Sequence, residues 1–484
     1  MKQSLATDAV KLTTSKVITM MMSMISAMML SRLRTLEEYG TYSQILLVIN
    51  LTTTIFMIGL PNSINYFLAR TENQQERQRF VSVYYTLSTV LSLFTGLILV
   101  LATPLIVRYF DNNLIRKFVY ILALFPWTKI ILSSIDHILI VYRKTSYLVI
   151  FRILNSLCLL MIIFLVEALN LGFAVYMLLF LVVEVIFTIS VYIVAGGIAG
   201  RIKIYLDREL IKRILKFSLP IGLATVVGTL KRELDKLVIA GLYDTESLAI
   251  YANAARELPV TFIASSITAV LMPQVAVMIK KDQKSKAVDL WGNATVLSYA
   301  VIAFIATGVF TYAPEVMSLL YSEKYLPGVP VFRVYSLVLL FRSTYFGMVL
   351  NATGKTKVIL YSSLLTLSVN IILNFSFYYL FGFIGPAIAT LTTTSLNALY
   401  QLWETTKVTK IRMRRIFPWR KLMYISGVNM IFGLVFMLIK KAVQIDVVYG
   451  EILESILLGL IWGGLYFLVI HRLLIKEWND LKSV

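Results

Sequence analysis

Charged side chains interrupt an apolar stretch of this 484-residue chain, and they are the residues whose chemistry stands out. In the segment 231–236, five of six residues are ionisable, and apolar residues flank it on both sides. Each charge at the centre of a bilayer costs about 2.5–3.5 kcal/mol on insertion scales. The segment therefore either does not span a membrane or lines a polar interior.

Basic residues inside apolar stretches could together bind an anion. Eight of them are found: Lys129, Arg152, Lys231, Arg232, Lys236, Arg256, Arg333 and Arg342. If a turn at Asp244 joins two helices, Arg232 and Arg256 each lie 12 residues from it, about 18 Å at 1.5 Å per residue. Two arginines at one depth on antiparallel helices could converge on an anionic ligand.

Pairing within one helix is the alternative for these charges. Arg232 with Asp235, and Glu233 with Lys236, are i,i+3 neighbours that can meet on a helix face. The two helices carry four basic and three acidic groups, so pairing leaves one positive charge over. The sequence leaves both interpretations open.

The sequence contains few residues that could catalyse a reaction or bind a metal ion. The single cysteine, Cys158, excludes a disulfide framework, and two scattered histidines, His137 and His471, are too few for zinc chemistry. Asp136 and His137 could form a proton-relay pair, although an interfacial contact is the simpler interpretation. We predict no catalytic residue, no metal site and no cofactor.

The elements that position the charges are membrane-spanning helices. The chain is 58% hydrophobic and 15% charged, against about 25% charged residues in soluble proteins, which indicates an all-α polytopic membrane protein. A bilayer core of about 30 Å needs about 20 apolar residues per helix. We predict fourteen such spans: 12–33, 41–68, 81–103, 117–140, 147–167, 173–196, 217–242, 246–278, 288–312, 331–352, 358–380, 384–406, 422–441 and 449–470.

The distribution of lysine and arginine predicts the orientation. With the N-terminus in the cytoplasm, inner segments hold 30 of the 46 basic residues, outer loops hold 8, and 8 lie within spans. Because cytoplasmic loops carry the excess of basic residues, both termini are predicted to be cytoplasmic. The net charge of +20 is then explained by the orientation of the protein in the membrane and by attraction to anionic membrane lipids. We therefore predict no nucleic-acid partner.

The chain repeats itself with an offset of 210–212 residues. Five anchors recur in order: Tyr39 and Tyr251, Pro61 and Pro273, Pro104 and Pro314, Lys144 and Lys355, Gly172 and Gly382. An offset of six helices gives copies of the same orientation, an arrangement with the substrate site between the halves. We therefore predict an N-terminal six-helix lobe (1–200), a cytoplasmic basic linker (201–216), a C-terminal six-helix lobe (217–406), and a basic loop plus two additional helices (407–484).

The first copy of the repeat lacks the charges of the second. Met20, Ser23, Met24 and Gln44 stand where the second copy has Arg232, Asp235, Lys236 and Arg256. The helical architecture therefore does not require these charges.

Several segments resemble a known family. The motif Glu37-Glu38-Tyr39-Gly40 after the first span resembles a loop of polysaccharide-unit flippases, and segments 60–70 and 234–241 are similar to that family too. The chain resembles the O-antigen/oligosaccharide-unit (Wzx-type) flippases of the multidrug/oligosaccharidyl-lipid/polysaccharide exporter superfamily. The density of charge at 231–236 departs from the family pattern, in which an Asp-basic pair is usual.

The resemblance implies fourteen helices, alternating access, and movement of an undecaprenyl-pyrophosphate-linked oligosaccharide from the inner to the outer leaflet of the bacterial inner membrane. Cationic side chains would replace part of the hydration of the pyrophosphate. The expected substrate-binding residues are Arg232, Arg256, Arg152, Arg342 and Lys236. The carboxylates that could couple transport to an ion are Asp235, Glu257 and Glu233.

The partners expected from this function are a polyprenyl-pyrophosphate-linked glycan, membrane lipids and a polysaccharide polymerase or its assembly machinery. A cation-coupled drug exporter of the same superfamily is one alternative, although its cavity should be acidic. A membrane polysaccharide polymerase is a second alternative, which the internal repeat and the short outer loops disfavour. The sequence does not distinguish the glycan, and lipid II is among the possibilities.

Overall fold

The computed structural model describes residues 5–442 and 448–482, and every regular element in these ranges is helical. The prediction of an all-α polytopic membrane protein is confirmed. Residues 1–4, 443–447 and 483–484 lie outside the described ranges. The cytoplasmic placement of the termini stays a prediction.

The chain forms two compact units, which meet in sequence at Ala249 and Ile250. The α-helices of the first unit are α1 Leu5–Leu33, α2 Leu36–Met57, α3 Pro61–Phe67, α4 Gln74–Leu101, α5 Thr103–Phe110, α6 Val119–Val141, α7 Thr145–Ala168, α8 Gly172–Ala199 and α9 Arg208–Leu242. Helix α10, Thr245–Ala254, lies across the boundary. The predicted lobes have other boundaries and stay a prediction. Of the predicted linker 201–216, the part from Arg208 onward belongs to α9.

The second unit contains the remaining helices. They are α11 Phe262–Lys280, α12 Lys284–Thr311, α13 Ala313–Tyr321, α14 Val329–Val338, α15 Met348–Ala352, α16 Thr356–Phe381, α17 Gly385–Thr409, α18 Met413–Ile416, α19 Trp419–Ala442 and α20 Val448–Lys482.

Twelve helical stretches of the described residues are long and apolar enough to cross a membrane. One of them, Thr356–Thr409, holds α16 and α17, of 26 and 25 residues. Helix α9 carries the charged segment 231–236 and is not among the twelve, but its 35 residues are long enough to cross a bilayer. The structure thus supports twelve candidate spans, and the predicted count of fourteen stays a prediction.

Two helices that build the candidate site begin at side-chain caps. Thr35 caps α2: its Oγ1 accepts from the Glu38 N–H at 3.1 Å, while Glu38 Oε2 accepts from the Thr35 N–H at 3.2 Å. Asp207 caps α9 by accepting from the Leu210 N–H at 3.1 Å. Such caps satisfy N–H groups that have no partner inside the helix. Glu38 of the motif 37–40 therefore has a structural role in starting α2.

Three predicted spans are interrupted instead of continuous. The span 41–68 breaks after α2, where Ile58 and Gly59 adopt φ of 49° and 68°. The span 246–278 breaks between α10 and a 3-10 helix at Pro259–Thr261, because a residue before proline is forced out of the helical region and Leu258 is extended. The span 331–352 breaks between the 3-10 helix Leu339–Arg342 and α15.

The local structure repeats in the two units. In the first, α4 is followed by the short helix α5 with Pro104 in its first turn, a 3-10 helix at Asn113–Phe118, and α6. In the second, α12 is followed by α13 with Pro314 in its first turn, a 3-10 helix at Glu323–Gly328, and α14. This shared order agrees with the internal repeat read from the sequence.

Candidate functional site

A polar cavity of about 300 Å³ lies within the first unit, between α2, α6 and α9. Its lining combines hydroxyl, amide and charged side chains: Asn50, Thr53, Thr54, Met57, Lys129, Ile130, Ser133, Thr229, Arg232 and Glu233. Two cations and one carboxylate face this space, which is otherwise surrounded by apolar helices. The charged segment of α9 therefore lines a polar interior, one of the two possibilities that the sequence left open.

The charges of α9 divide into paired and cavity-facing groups. Lys236 Nζ lies 2.8 Å from Glu233 Oε2, so the pair predicted from the i,i+3 spacing is confirmed. Arg232 donates instead to the Thr229 hydroxyl at 3.1 Å, in the cavity wall. Since Lys236 balances Glu233, the charge of the lining is net positive.

Asp235, a predicted ion-coupling residue, is buried with 1% of its surface exposed. Its Oδ1 accepts from the Lys236 backbone N–H at 2.9 Å. Asp235 does not belong to the lining of the cavity, and its role in ion coupling stays a prediction.

Lys129 on α6 is a cavity residue that the sequence reasoning did not select. It appeared among the in-span cations, but nothing in its sequence neighbourhood distinguished it. Its charge interacts with that of Glu184 on α8, a residue that is buried. The contribution of α6 to the site depends on which side of that helix faces α9, which sequence spacing alone does not reveal.

Close backbone contact holds α9 against α2 beside the cavity. A Cβ atom on Gly222 would lie 2.4 Å from the backbone carbon of Ile58, and one on Gly59 would lie 2.7 Å from the Gly222 nitrogen. Only glycine permits this approach at both positions. A similar contact brings Gly40, from the family motif, against the Thr245 backbone, where a Cβ would be 2.1 Å from the carbonyl oxygen.

A second charged group lies in the second unit, at two of the helix breaks. Arg342 Nη2 and Glu257 Oε1 form an ion pair of 2.7 Å, and Arg256 lines the same narrow cleft. Arg256 follows the end of α10 and lies outside any continuous helix. The membrane depth that the sequence analysis gave for Arg256 assumed a continuous helix, so that estimate does not hold. Arg232 belongs to the first unit and Arg256 to the second, and their convergence on one ligand stays a prediction.

Arg152 is held by a carboxylate. Its Nε and Nη2 donate to the two carboxylate oxygens of Asp136 at 3.0 and 2.5 Å, and its Nη1 lies 3.4 Å from Ser15 Oγ. The neighbouring His137 contacts the Asn65 amide at 2.9 Å. Asp136 and His137 thus have separate partners, and the geometry favours a structural role for Arg152.

Buried amides form another polar feature of the second unit. The Asn370 amide on α16 donates to Thr393 Oγ1 on α17 at 3.0 Å, and the Asn374 amide donates to the Asn370 carbonyl at 2.8 Å. The side-chain oxygens of both asparagines are buried, and neither has a hydrogen-bond partner among the described residues. These two asparagines were not selected in the sequence analysis.

Comparisons with known proteins place this geometry in context. The family of polysaccharide biosynthesis proteins matches residues 29–330, more than half of the chain. An uncharacterized membrane protein of Methanocaldococcus jannaschii is 23% identical over 476 residues, covering 92% of this chain and 91% of that protein.

Two solved structures show the fold. The lipid II flippase MurJ, in an inward closed conformation, superposes with a TM-score of 0.78 at 19% identity, over 95% of this chain and 98% of MurJ. An inward-facing multidrug resistance MATE transporter of the MOP superfamily gives 0.63 at 16% identity, over 81% and 96% of the two chains. Both of those proteins are transport proteins by their descriptions, and their likeness to this chain is one of fold. The chain belongs to the polysaccharide biosynthesis protein family and shares the fold of these two solved structures.

Proposed function

We propose that this protein is a flippase that moves an undecaprenyl-pyrophosphate-linked oligosaccharide from the inner to the outer leaflet of a bacterial inner membrane. The product would serve synthesis of O-antigen or a related surface polysaccharide, and transport would proceed by alternating access. The observation that carries the proposal is the net-positive polar cavity containing Lys129 and Arg232, inside a unit built of membrane helices.

The chemistry of the cavity suits the polar part of such a substrate. The lipid tail can remain in the bilayer, while the pyrophosphate must exchange its hydration for other donors. A guanidinium presents five N–H donors and binds phosphate oxygens strongly. The hydroxyl and amide groups of Thr53, Thr54 and Asn50 match the hydrogen-bonding groups of a sugar.

Carboxylates beside the cavity are the proposed coupling groups. Glu233 holds Lys236, so binding of a proton or cation at Glu233 would release that lysine toward an anionic substrate. Asp235 and Glu257 are the other two proposed coupling residues, and Arg256, Arg342 and Lys236 are proposed to assist Arg232. Transport that persists after both proton and sodium gradients are collapsed would contradict coupling.

The direct test replaces Arg232 by alanine in cells that depend on this protein for glycan export. A hydrogen bond to a charged group contributes about 1.5–3 kcal/mol, so we expect transport to fall by about 10- to 100-fold. The matched control is Lys212→Ala, which removes an exposed cation from the same helix outside the cavity and should leave export unchanged.

The lipid-linked intermediates distinguish the alternatives. A flippase defect leaves complete units on the inner leaflet, whereas a polymerase defect leaves them on the outer leaflet. Normal export by R232A protein at normal abundance would remove Arg232 from the site. Unchanged lipid-linked glycan together with loss of resistance to cationic drugs would favour a drug exporter instead.

A further inference from the structure

A second cavity, of about 280 Å³, lies in the second unit beside the loop that joins α17 to α19. Four basic side chains and one carboxylate belong to its lining: Arg414, Arg415, Arg420, Lys421 and Asp289. The proposed glycan site, with Arg232 and Lys129, belongs to the first unit and shares none of these residues. The basic character of this loop, noted in the sequence as part of 407–484, is not used by the proposed transport cycle.

Apolar anchors hold the loop in a defined shape. Ile416 and Phe417 are buried, and the Phe417 ring lies 5.5 Å from that of Trp291 on α12 and 5.1 Å from that of Trp419. The Trp419 Nε1–H donates to the Met413 carbonyl across the short helix α18, at 2.9 Å. Because these contacts fix the backbone on both sides of Phe417, the arginines border a built cavity and not a free tail.

The arginines of this cavity form no ion pair within the part of the chain that the structure describes, although the Asp289 carboxylate shares their lining. Lys421 is paired with the buried Glu477 at 2.7 Å, which leaves that lysine partly neutralised. Within residues 5–442 and 448–482, Arg414, Arg415 and Arg420 are exposed and take part in no recorded ion pair. Three exposed guanidinium groups around one concave space are suited to a group that carries concentrated negative charge, such as a phosphate.

The position of the cavity indicates where that phosphate comes from. The loop spans only 410–418, between α17 and α19, which are both long enough to cross a bilayer. Its side chains are therefore at the membrane surface, and the positive-inside distribution predicts that this surface is the cytoplasmic one. Basic pockets between transmembrane helices on the cytoplasmic side bind anionic lipid headgroups.

We propose that this cavity binds the phosphodiester headgroup of an anionic phospholipid of the cytoplasmic leaflet, through Arg414, Arg415 and Arg420. The indole of Trp419 in the lining suits the interface between headgroup and acyl chains. Such a lipid would hold α17 and α19 together at their cytoplasmic ends. The inference is independent of which glycan the protein transports.

Binding can be measured on the full-length protein by native mass spectrometry during titration with phosphatidylglycerol or phosphatidylcholine. Each basic side chain near an anionic surface contributes about fivefold to affinity, so Arg414→Gln with Arg415→Gln should weaken phosphatidylglycerol binding about 25-fold. The matched control, Arg208→Gln with Lys212→Gln, removes the same charge from exposed positions of α9 and should bind like the wild type.

The outcomes separate the sources of phosphate and test the site. The proposal is supported if the protein binds phosphatidylglycerol selectively, if only the Arg414/Arg415 variant loses this binding, and if inorganic phosphate does not displace the lipid. Full displacement by millimolar inorganic phosphate, with no preference between the two lipids, would assign the cavity to a soluble anion and overturn the lipid assignment. Equal affinity of wild type and variant, or an equal loss in the control, would also overturn it. Because the altered side chains are exposed, the melting temperature of the lipid-free variant should match that of the wild type.

Discussion

The Arg152–Asp136 pair offers the sharpest test of how this protein uses its in-span charges. The sequence suggested that Arg152 assists substrate binding, whereas the structure gives its guanidinium two hydrogen bonds to one carboxylate. A structural pair and a substrate ligand respond differently when both partners are removed together. We therefore consider Arg152→Gln, Asp136→Asn and the double variant.

The magnitude follows from the geometry of the pair. A hydrogen bond to a charged group contributes about 1.5–3 kcal/mol, but the two side chains are 23% and 37% exposed, so solvent screening moves the contribution to the lower end. Each single substitution should cost about 2 kcal/mol, because it leaves the other charge without its partner. The double variant should cost about 2–3 kcal/mol, which is a coupling free energy of about 1–2 kcal/mol.

The assay is reversible unfolding of the purified protein in micelles, followed by tryptophan fluorescence. The comparison pair is Arg213 and Glu209, an exposed i,i+4 pair at 3.7 Å, whose coupling should be at most about 0.5 kcal/mol. Glycan export is measured in parallel, and the double variant R152Q/D136N should keep most of it.

A different result would refute the reasoning. If the coupling free energy is close to zero and both R152Q and the double variant abolish export while D136N does not, then Arg152 contacts the substrate. The structural role argued from the bidentate geometry would then be wrong.

Two further predictions concern how α9 is positioned. Gly222→Ala places a Cβ against the Ile58 backbone and should lower stability by about 1–3 kcal/mol, measured as a lower melting temperature. The control is Gly228→Ala, whose added Cβ would have its nearest contact 3.9 Å away and should be tolerated. Equal effects of the two substitutions would show that the two helix backbones are not in close contact. The Leu210 N–H and Arg79 hold the pKa of the Asp207 carboxyl below its ordinary value of 3.8. The stability that this cap adds is therefore present above pH 3.8, and it is lost as the pH falls through the lower pKa of the folded state. The difference in melting temperature between wild type and D207N should therefore be constant above about pH 5 and shrink below pH 3.8, and a difference that does not change with pH would show that the charge of Asp207 does not contribute to the cap.

Some interactions were predictable because they are local. The Glu233–Lys236 pair follows from a spacing of three residues, since any α-helix brings such positions together. The cap at Thr35 follows likewise from a threonine three residues before Glu38. In both cases the backbone of a single helix sets the geometry.

Contacts between helices could not be predicted in the same way. Arg152 on α7 pairs with Asp136 on α6, and Arg342 pairs with Glu257, which lies far away in the chain. Such contacts depend on the rotation of each helix about its own axis and on its tilt, which many distant side chains determine together. The break before α15 was missed because an apolar run of suitable length does not reveal where its backbone leaves the helical region. The break after α10 has a local signal, Pro259, which the span prediction did not use.

The sequence by itself determined that this is an all-helical membrane protein with charges concentrated in α9, and it predicted an internal repeat. These features depend on composition, run length and residue order, which the chain carries without folding. Only the tertiary structure decided that Arg232 shares a polar cavity with Lys129, that Arg152 is held by Asp136, and that the loop arginines surround a cavity of their own. The physical reason is that burial and charge pairing across helices are properties of packed surfaces, and a surface exists only after the helices have docked.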